Sequence, residues 1–127
     1  MSNQKEFLLN LLNENQSATI IGSLGTISYD LTDMVHPDKI LIRGAMGAAL
    51  GVGLGYALAK PDRKVIVLIG DGAFLMKMGS MATILKYMKD NLRIIVLNNE
   101  QHKSTGGQFT NFNQIKNLVP FEVINVE

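Results

Sequence analysis

The sequence predicts an α/β protein built on a doubly wound parallel sheet. Two mostly apolar runs, Val65–Ile69 and Arg93–Leu97, have the length and composition of strands that are buried on both faces. Segments with helical periodicity separate these and other short strands, and such alternation is typical of parallel pairing. The chain has 127 residues, enough for one domain with a hydrophobic core and not for two. We therefore expect a single domain over residues 1–127.

In the first half of the chain, helices and strands are predicted to alternate. Asn3 and Glu6 have the spacing of a capping box, which starts the first helix after Ser2 or Asn3. The apolar stripe of that helix consists of Phe7, Leu8, Leu11 and Leu12. The next elements are a strand at Ala18–Gly22, a short helix near Ile27–Met34, the turn His36-Pro37-Asp38 and a strand at Lys39–Ile42.

The second half begins with a helix, about Met46–Lys60, made mostly of small residues. Glycine costs about 1 kcal/mol against alanine inside a helix, so its glycines predict close approach of another backbone or a ligand. After the strand Val65–Ile69, one helix stripe is predicted from Phe74, Met78, Met81, Leu85 and Met88. The remaining elements are the strand Arg93–Leu97, a polar loop over Glu100–Thr110, a short helix at Asn113–Leu118 and a strand at Phe121–Val126.

The composition argues against several classes of function. Lys and Arg total 12 and Asp and Glu total 11, so no charge excess points to nucleic acid or an acidic membrane. There is no Cys, which excludes disulfides and thiolate metal sites, and the histidines are His36 and His102 alone. The uncharged run Gly44–Ala59 has 16 residues, fewer than the roughly 20 that a membrane helix needs. With no signal-peptide pattern at the N-terminus, we expect a soluble, cytoplasmic protein.

A carboxylate and two amides stand at the ends of the two buried strands. Asp71 follows the first strand within Gly70-Asp71-Gly72, and Asn98-Asn99 follow the second. The carboxyl ends of parallel strands share one edge of the sheet, where ligands bind in open α/β folds. A carboxylate, an amide oxygen and a loop carbonyl suit Mg²⁺ together with phosphate, and the N–H groups of Gly72 and Ala73 favour an anion. The pattern predicts a Mg²⁺-phosphate site, although Gly-Asp-Gly alone is also typical of an ordinary strand-to-helix turn.

These motifs also carry a family resemblance. Gly70-Asp71-Gly72, followed after 25 residues by Asn98-Asn99, resembles the diphosphate-binding motif of thiamine-diphosphate enzymes. Arg43-Gly44-Ala45-Met46-Gly47 is similar to the stretch that precedes this motif in their decarboxylases. More narrowly, Gly106-Gly107-Gln108 after Ser104-Thr105 resembles phosphonopyruvate and sulfopyruvate decarboxylases. The resemblance extends from the first helix to about Thr110.

The resemblance implies a three-layer thiamine-diphosphate-binding fold and assigns residues 1–127 to its diphosphate-binding domain. Such domains usually continue further at the C-terminus, so we expect either a naturally shortened domain or a fragment of a longer chain. It also implies that Asp71, the Asn99 side chain and the Gln101 carbonyl bind Mg²⁺. The residues implied to bind the cofactor are Gly44, Ala45, Met46, Gly70, Asp71, Gly72, Ala73, Asn99 and Gln101.

The resemblance implies that two residues act close to the reacting atoms, and residue chemistry suggests a third. Met46 stands where the family has the bulky apolar residue that supports the bent cofactor, and ordinary core packing is the alternative. The Gly44 carbonyl would accept a hydrogen bond from the aminopyrimidine. The chemistry of the side chains, rather than the resemblance, makes His102, Lys103 or both candidates to contact an anionic substrate group; a solvated loop is the alternative for both and is favoured for Lys103.

The resemblance implies decarboxylation of a 2-oxo acid with a second anionic group, phosphonopyruvate or sulfopyruvate, to an aldehyde and CO₂. In the family, an activating glutamate lies on a separate pyrimidine-binding domain, and nothing in this sequence resembles that domain. We therefore expect a β subunit that requires an α subunit in a hetero-oligomer. The alternatives are an acetolactate-synthase-like carboligase, another 2-oxo acid decarboxylase, a non-catalytic assembly subunit and, more distantly, a plain nucleotide-binding domain.

Overall fold

A computed structural model describes residues 3–127, and its central feature is a five-stranded parallel sheet. The strands and helices follow one another as α1 (Gln4–Glu14), β1 (Thr19–Gly22), α2 (Thr26–Thr32), β2 (Lys39–Leu41), α3 (Ala49–Ala59), β3 (Val65–Gly70), α4 (Asp71–Met76), α5 (Ser80–Tyr87), β4 (Leu92–Asn98), β5 (Gln101–His102), β6 (Gln108–Phe109) and β7 (Glu122–Asn125). The sheet has the order β2-β1-β3-β4-β7, and β5 pairs with β6 in a separate antiparallel hairpin.

Helices cover both faces of the sheet. Leu8, Leu11 and Leu12 of α1 and Leu31 of α2 pack with one set of strand side chains. On the other face, α3, α4 and α5 pack with the alternate strand side chains through Leu50, Leu54, Phe74 and Ile84. The β3 residues Val65 to Ile69 are almost completely buried, as expected for a strand covered on both faces. The predicted three-layer, doubly wound α/β fold is therefore confirmed.

The start of α1 agrees with the capping prediction. The Oδ1 atom of Asn3 accepts a hydrogen bond from the backbone N–H of Glu6 at 3.1 Å, which satisfies one of the free donors of the first turn. The alternative start at Ser2 lies outside the described residues. Leu8, Leu11 and Leu12 are buried, so the predicted stripe faces the sheet.

Helix α3 begins later than predicted, at Ala49 rather than Met46. Ala45 and Gly47 have φ angles of 50° and 89°, which interrupt a right-handed helix. Gly53 does have a close neighbour, since a Cβ there would lie 2.2 Å from Val67 Cγ2, but this neighbour is a side chain rather than a backbone or a ligand. At Gly51 and Gly55 a Cβ would meet nothing within 4 Å, so no other described part of this chain approaches these two glycines, and approach of a ligand stays a prediction.

The helix predicted after β3 is two helices, because residues 77–79 leave the helical path between α4 and α5. Phe74 is buried and Met78, Met81 and Met88 pack against the same core cluster, as predicted. The prediction was wrong for Leu85, which is 53% exposed, while Ile84 is buried. The predicted helix at Asn113–Leu118 is instead two 3₁₀ turns, Phe112–Gln114 and Lys116–Leu118. Over the span 3–127, no helix combines the length and apolar character needed to cross a bilayer.

Candidate functional site

The candidate site lies where the carboxyl ends of β1, β3 and β4 meet. Gly22 of β1 is paired in register with Leu68 of β3, and Gly70 of β3 with Leu97 of β4. The residues that follow β3 and β4 therefore leave the sheet side by side. This register brings Asp71 next to Asn99, as the sequence predicted from parallel pairing alone.

Asp71 is a buried carboxylate, with 1% of its surface exposed. Its Oδ1 accepts a hydrogen bond from the backbone N–H of Asn99 at 3.3 Å, and its Oδ2 accepts one from the hydroxyl of Thr110 at 2.5 Å. Among residues 3–127, the ion pairs within 4.0 Å are Arg63–Asp38 and Arg93–Glu122, so Asp71 has no cationic side-chain partner there. Buried charges in proteins are paired or bind metals, so this position suits a cation.

The two asparagines that follow β4 have different environments. Asn98 is buried, and its Nδ2 donates to the Oδ1 atoms of Asn113 at 2.8 Å and Asn125 at 3.1 Å. Asn99 is half-buried, and its Oδ1 accepts a hydrogen bond from the N–H of Gln101 at 3.0 Å. Asn98 therefore holds the loop to β7, whereas Asn99 belongs to the site.

A small cleft of about 90 Å³ opens beside Asp71. Eight residues predicted to form the site line this cleft: Met46, Gly70, Asp71, Gly72, Ala73, Asn99, Gln101 and His102. Two other predicted residues, Gly44 and Ala45, are exposed and do not line it. Met46 is half-buried and also packs against the core, so both interpretations of this residue agree with its position.

His102 lies against the start of α4. A Cβ on Gly72 would be 2.7 Å from the Cε1 and Nδ1 atoms of the His102 imidazole, so only glycine leaves room for the ring in this position. Lys103, Ser104 and Thr105 continue the lining of the cleft after His102. Residues 102–105 of the polar loop predicted over Glu100–Thr110 therefore line the same cleft as Asp71.

Sequence reasoning missed two parts of the site. Residues 24–27, which are the turn after β1 and the first two residues of α2, line the cleft because β1 ends at the same edge of the sheet as β3, and the sequence did not indicate them as part of the site. Gln4 of α1 also reaches the cleft and donates to Thr26 Oγ1 and Asp30 Oδ2. Parallel pairing of β1 with β3, had it been predicted, would have placed residues 24–27 at the same edge of the sheet as Asp71.

The donor chemistry at the cleft fits Mg²⁺ held together with phosphate. Within the part of the chain that the structure describes, no group of three or more His, Cys, Asp or Glu side chains could hold a metal ion. The set at the cleft is one carboxylate, from Asp71, beside the neutral oxygens of Asn99 and Gln101. Such a set leaves coordination positions for phosphate oxygens and water, which is how Mg²⁺ is usually bound. A Cβ on Gly70 would meet nothing within 4 Å, so there is open space next to the carboxylate.

Comparison with protein families identifies the domain. The family described as "Thiamine pyrophosphate enzyme, C-terminal TPP binding domain" matches residues 21–122, which is most of the chain. The chain belongs to this family. The resemblance drawn from Gly70-Asp71-Gly72 and Asn98-Asn99 is thereby confirmed, and the family supports thiamine diphosphate as the cofactor.

Relatives of this thiamine pyrophosphate enzyme domain include decarboxylases. The phosphonopyruvate decarboxylase of Streptomyces hygroscopicus is 42% identical over 95 residues, which cover 74% of this chain and 23% of the relative. The sulfopyruvate decarboxylase subunit beta of Methanothermobacter thermautotrophicus is 38% identical over 92 residues, which cover 72% of this chain and 49% of the relative. The chain thus spans about a quarter to a half of these curated relatives.

A solved structure shares the fold of this thiamine pyrophosphate enzyme domain. The 2-oxoglutarate:ferredoxin oxidoreductase from Magnetococcus marinus, solved with 2-oxoglutarate, coenzyme A and succinyl-CoA bound, aligns with a TM-score of 0.63 at 26% identity. The alignment covers 76% of this chain and 32% of that chain. The parallel three-layer architecture is therefore shared with a larger 2-oxo acid enzyme.

Proposed function

We propose that residues 1–127 form the diphosphate- and Mg²⁺-binding half of a thiamine-diphosphate-dependent decarboxylase. The observation that carries the proposal is the buried carboxylate of Asp71, which lies beside Asn99 without a cationic side-chain partner among residues 3–127, in a domain of the thiamine pyrophosphate enzyme family. When bound, thiamine diphosphate supplies an electron sink that stabilises the carbanion left as CO₂ departs.

In this proposal, the residues of the cleft divide the binding of the cofactor between them. Asp71, the Oδ1 of Asn99 and the carbonyl of Gln101 bind Mg²⁺, which in turn holds the diphosphate. Backbone N–H groups of Gly72 and Ala73 donate to the diphosphate oxygens. Gly70 is part of the same strand-to-helix turn, where its missing side chain leaves space next to the metal.

The residues before α3 are proposed to serve the rest of the cofactor. Met46 forms an apolar wall at the cleft, and the Gly44 carbonyl accepts a hydrogen bond from the aminopyrimidine ring. Gly44 and Ala45 are exposed in the isolated chain, which leaves them accessible to a cofactor held partly by another protein surface.

A partner subunit is proposed because the cleft is small. Ligand sites in proteins usually have volumes of roughly 300–1,000 Å³, whereas this cleft measures about 90 Å³. One chain therefore encloses only part of a cofactor-sized molecule. An α subunit would close the site over the pyrimidine and supply the activating glutamate, and the sulfopyruvate decarboxylase subunit beta named above supports this arrangement.

The proposed substrate is a 2-oxo acid with a phosphonate or sulfonate group, converted to an aldehyde and CO₂. The names of the two decarboxylase relatives support this substrate class. His102 and Lys103 line the cleft and are the proposed contacts to the second anionic group, since both side chains can donate to its oxygens.

Calorimetric titration of thiamine diphosphate with Mg²⁺ tests the proposal, using the chain alone and with a candidate pyrimidine-domain subunit. We expect tight binding only with the partner, and loss of that binding in Asp71→Asn. Asp62→Asn, at an exposed position, is the matched control and should bind as the wild type does. Binding that is absent in all mixtures, or unchanged by Asp71→Asn, contradicts the proposal.

Product analysis of the assembled complex tests the reaction. Incubation with phosphonopyruvate or sulfopyruvate should release CO₂ and one equivalent of aldehyde. An acyloin as the product would instead indicate a carboligase, and no turnover with a fully bound cofactor would indicate an assembly subunit.

A further inference from the structure

The Thr110 hydroxyl contacts the Asp71 carboxylate across 39 residues of sequence. A carboxylate can only accept hydrogen bonds, so the hydroxyl is the donor in this 2.5 Å contact with Oδ2. The hydroxyl oxygen in turn accepts the backbone N–H of Phe112 at 3.3 Å. These two bonds give the hydroxyl one fixed orientation, with its proton directed at Asp71.

The two oxygens of Asp71 are therefore not equivalent. Oδ2 has a short hydrogen bond from the Thr110 hydroxyl, whereas Oδ1 has only the 3.3 Å contact with the Asn99 N–H. The weaker contact leaves Oδ1 the more available of the two oxygens for a cation. The hydroxyl also prevents rotation of the carboxylate, because rotation would break the short hydrogen bond.

Thr110 itself is held by a backbone hydrogen bond and by the packing of Phe112, two residues later. Its backbone N–H donates to the Glu100 carbonyl at 3.0 Å, at the base of the β5–β6 hairpin. Phe112, two residues later, is fully buried and packs edge-to-face on Phe74 of α4, with 6.1 Å between ring centroids. A ligand is held accurately when its supporting residue is itself fixed by packing, and Thr110 meets that condition.

We propose that Thr110 is a positioning residue for the cation, which orients the Asp71 carboxylate and fixes the β5–β6 hairpin on it. The inference rests on the proposed function, because it assigns to Thr110 a part in the Mg²⁺ site of Asp71. Thr110 touches neither substrate nor cofactor in this account; it acts through Asp71.

The test measures how thiamine diphosphate binding depends on Mg²⁺ concentration, by calorimetry on the full chain with its partner subunit. Residues that orient a metal ligand typically contribute about 10- to 100-fold to metal affinity. We expect Thr110→Val to raise the half-saturating Mg²⁺ concentration about tenfold by this mechanism, and Thr110→Ser, which keeps the hydroxyl, to restore most of it. Thr83→Val is the matched control, since it makes the same substitution at an exposed position of α5 that does not line the cleft.

Asp71→Asn distinguishes a failure of the inference about Thr110 from a failure of the proposed function. If Thr110→Val binds as the wild type does while Asp71→Asn loses Mg²⁺-dependent binding, the inference is wrong and the proposed function stands. If Asp71→Asn also leaves the Mg²⁺ dependence unchanged, the proposed function itself is wrong. Thr110→Ala removes the hydroxyl without adding a methyl group, and replaces Thr110→Val if that variant does not fold. A weakening in Thr110→Ser equal to that in Thr110→Val would also overturn the role of the hydroxyl.

Discussion

Gly53 of α3 lies directly against Val67 of β3, so that a Cβ on Gly53 would be 2.2 Å from Val67 Cγ2. Helix α3 therefore approaches the sheet at a distance that alanine does not permit. Val67 belongs to the larger hydrophobic cluster and Gly53 is buried beside it, so neighbouring side chains have little room to move.

Gly53→Ala should destabilise the protein, because the new methyl group forces α3 away from β3. Overpacking of this kind typically costs about 1–3 kcal/mol. Gly55→Ala should instead stabilise it by roughly 0.5–1 kcal/mol, since a Cβ there meets nothing and alanine favours the helix. Urea unfolding of both variants provides the measurement. Equal losses in the two variants would show that α3 does not pack at this distance.

Gly72→Ala should displace the His102 imidazole from the start of α4. The added Cβ would be 2.7 Å from the ring, and the ring can move because it is the end of a half-buried side chain. We expect a changed ¹³C–¹H NMR resonance for His102 Cε1, with a stability loss of about 1 kcal/mol. Gly70→Ala, with open space at its Cβ, should leave this resonance unchanged. An unmoved resonance in Gly72→Ala would contradict the contact.

Alanine substitution of Asn98 should mainly lower stability, whereas alanine substitution of Asn99 should mainly abolish Mg²⁺-dependent binding of thiamine diphosphate. Asn98→Ala removes a buried amide that bonds to Asn113, Asn125 and the backbone N–H of Glu100, which costs about 1–3 kcal/mol of stability. Asn99→Ala removes a half-buried cap of the loop and should cost less than about 1 kcal/mol, while Mg²⁺-dependent binding of thiamine diphosphate is lost. Chemical unfolding and calorimetry on both variants check this. The prediction is wrong if Asn98→Ala is the variant that keeps its stability.

Ala45→Gly should stabilise the chain. Ala45 has φ of 50°, a left-handed conformation that costs a non-glycine residue roughly 1–2 kcal/mol. Part of this gain is offset by the greater freedom of glycine in the unfolded chain, so we expect about 0.5 kcal/mol. Ala82→Gly, an exposed position inside α5, should instead lose about 1 kcal/mol. Thermal unfolding distinguishes these two signs.

The sequence was sufficient to place Asp71 and Asn99 together, because the shared edge of parallel strands follows from their alternation with helices. It was not sufficient to identify Thr110, whose contact with Asp71 depends on how the β5–β6 hairpin folds back over the cleft. No periodicity encodes such a return of the chain.

The same limit applies to the helix after β3. A continuous stripe predicted that Leu85 faces the core, but three non-helical residues change the rotation of α5 and bury Ile84 instead. Residues 77–79 end with Gly79, and glycine costs about 1 kcal/mol in a helix interior, so the sequence carries a local signal for the interruption that the stripe of apolar residues does not show. The pattern of apolar residues alone therefore does not locate a boundary of this kind.

The cleft collects residues from Gln4 to Thr105, and its carboxylate is oriented by Thr110. Contacts between residues this far apart in sequence form slowly during folding, because each closes a long loop. We expect Mg²⁺-dependent binding of thiamine diphosphate to return after the far-ultraviolet circular dichroism signal when the unfolded chain is diluted from urea in the presence of its partner. Binding competence would then report completion of folding rather than formation of secondary structure.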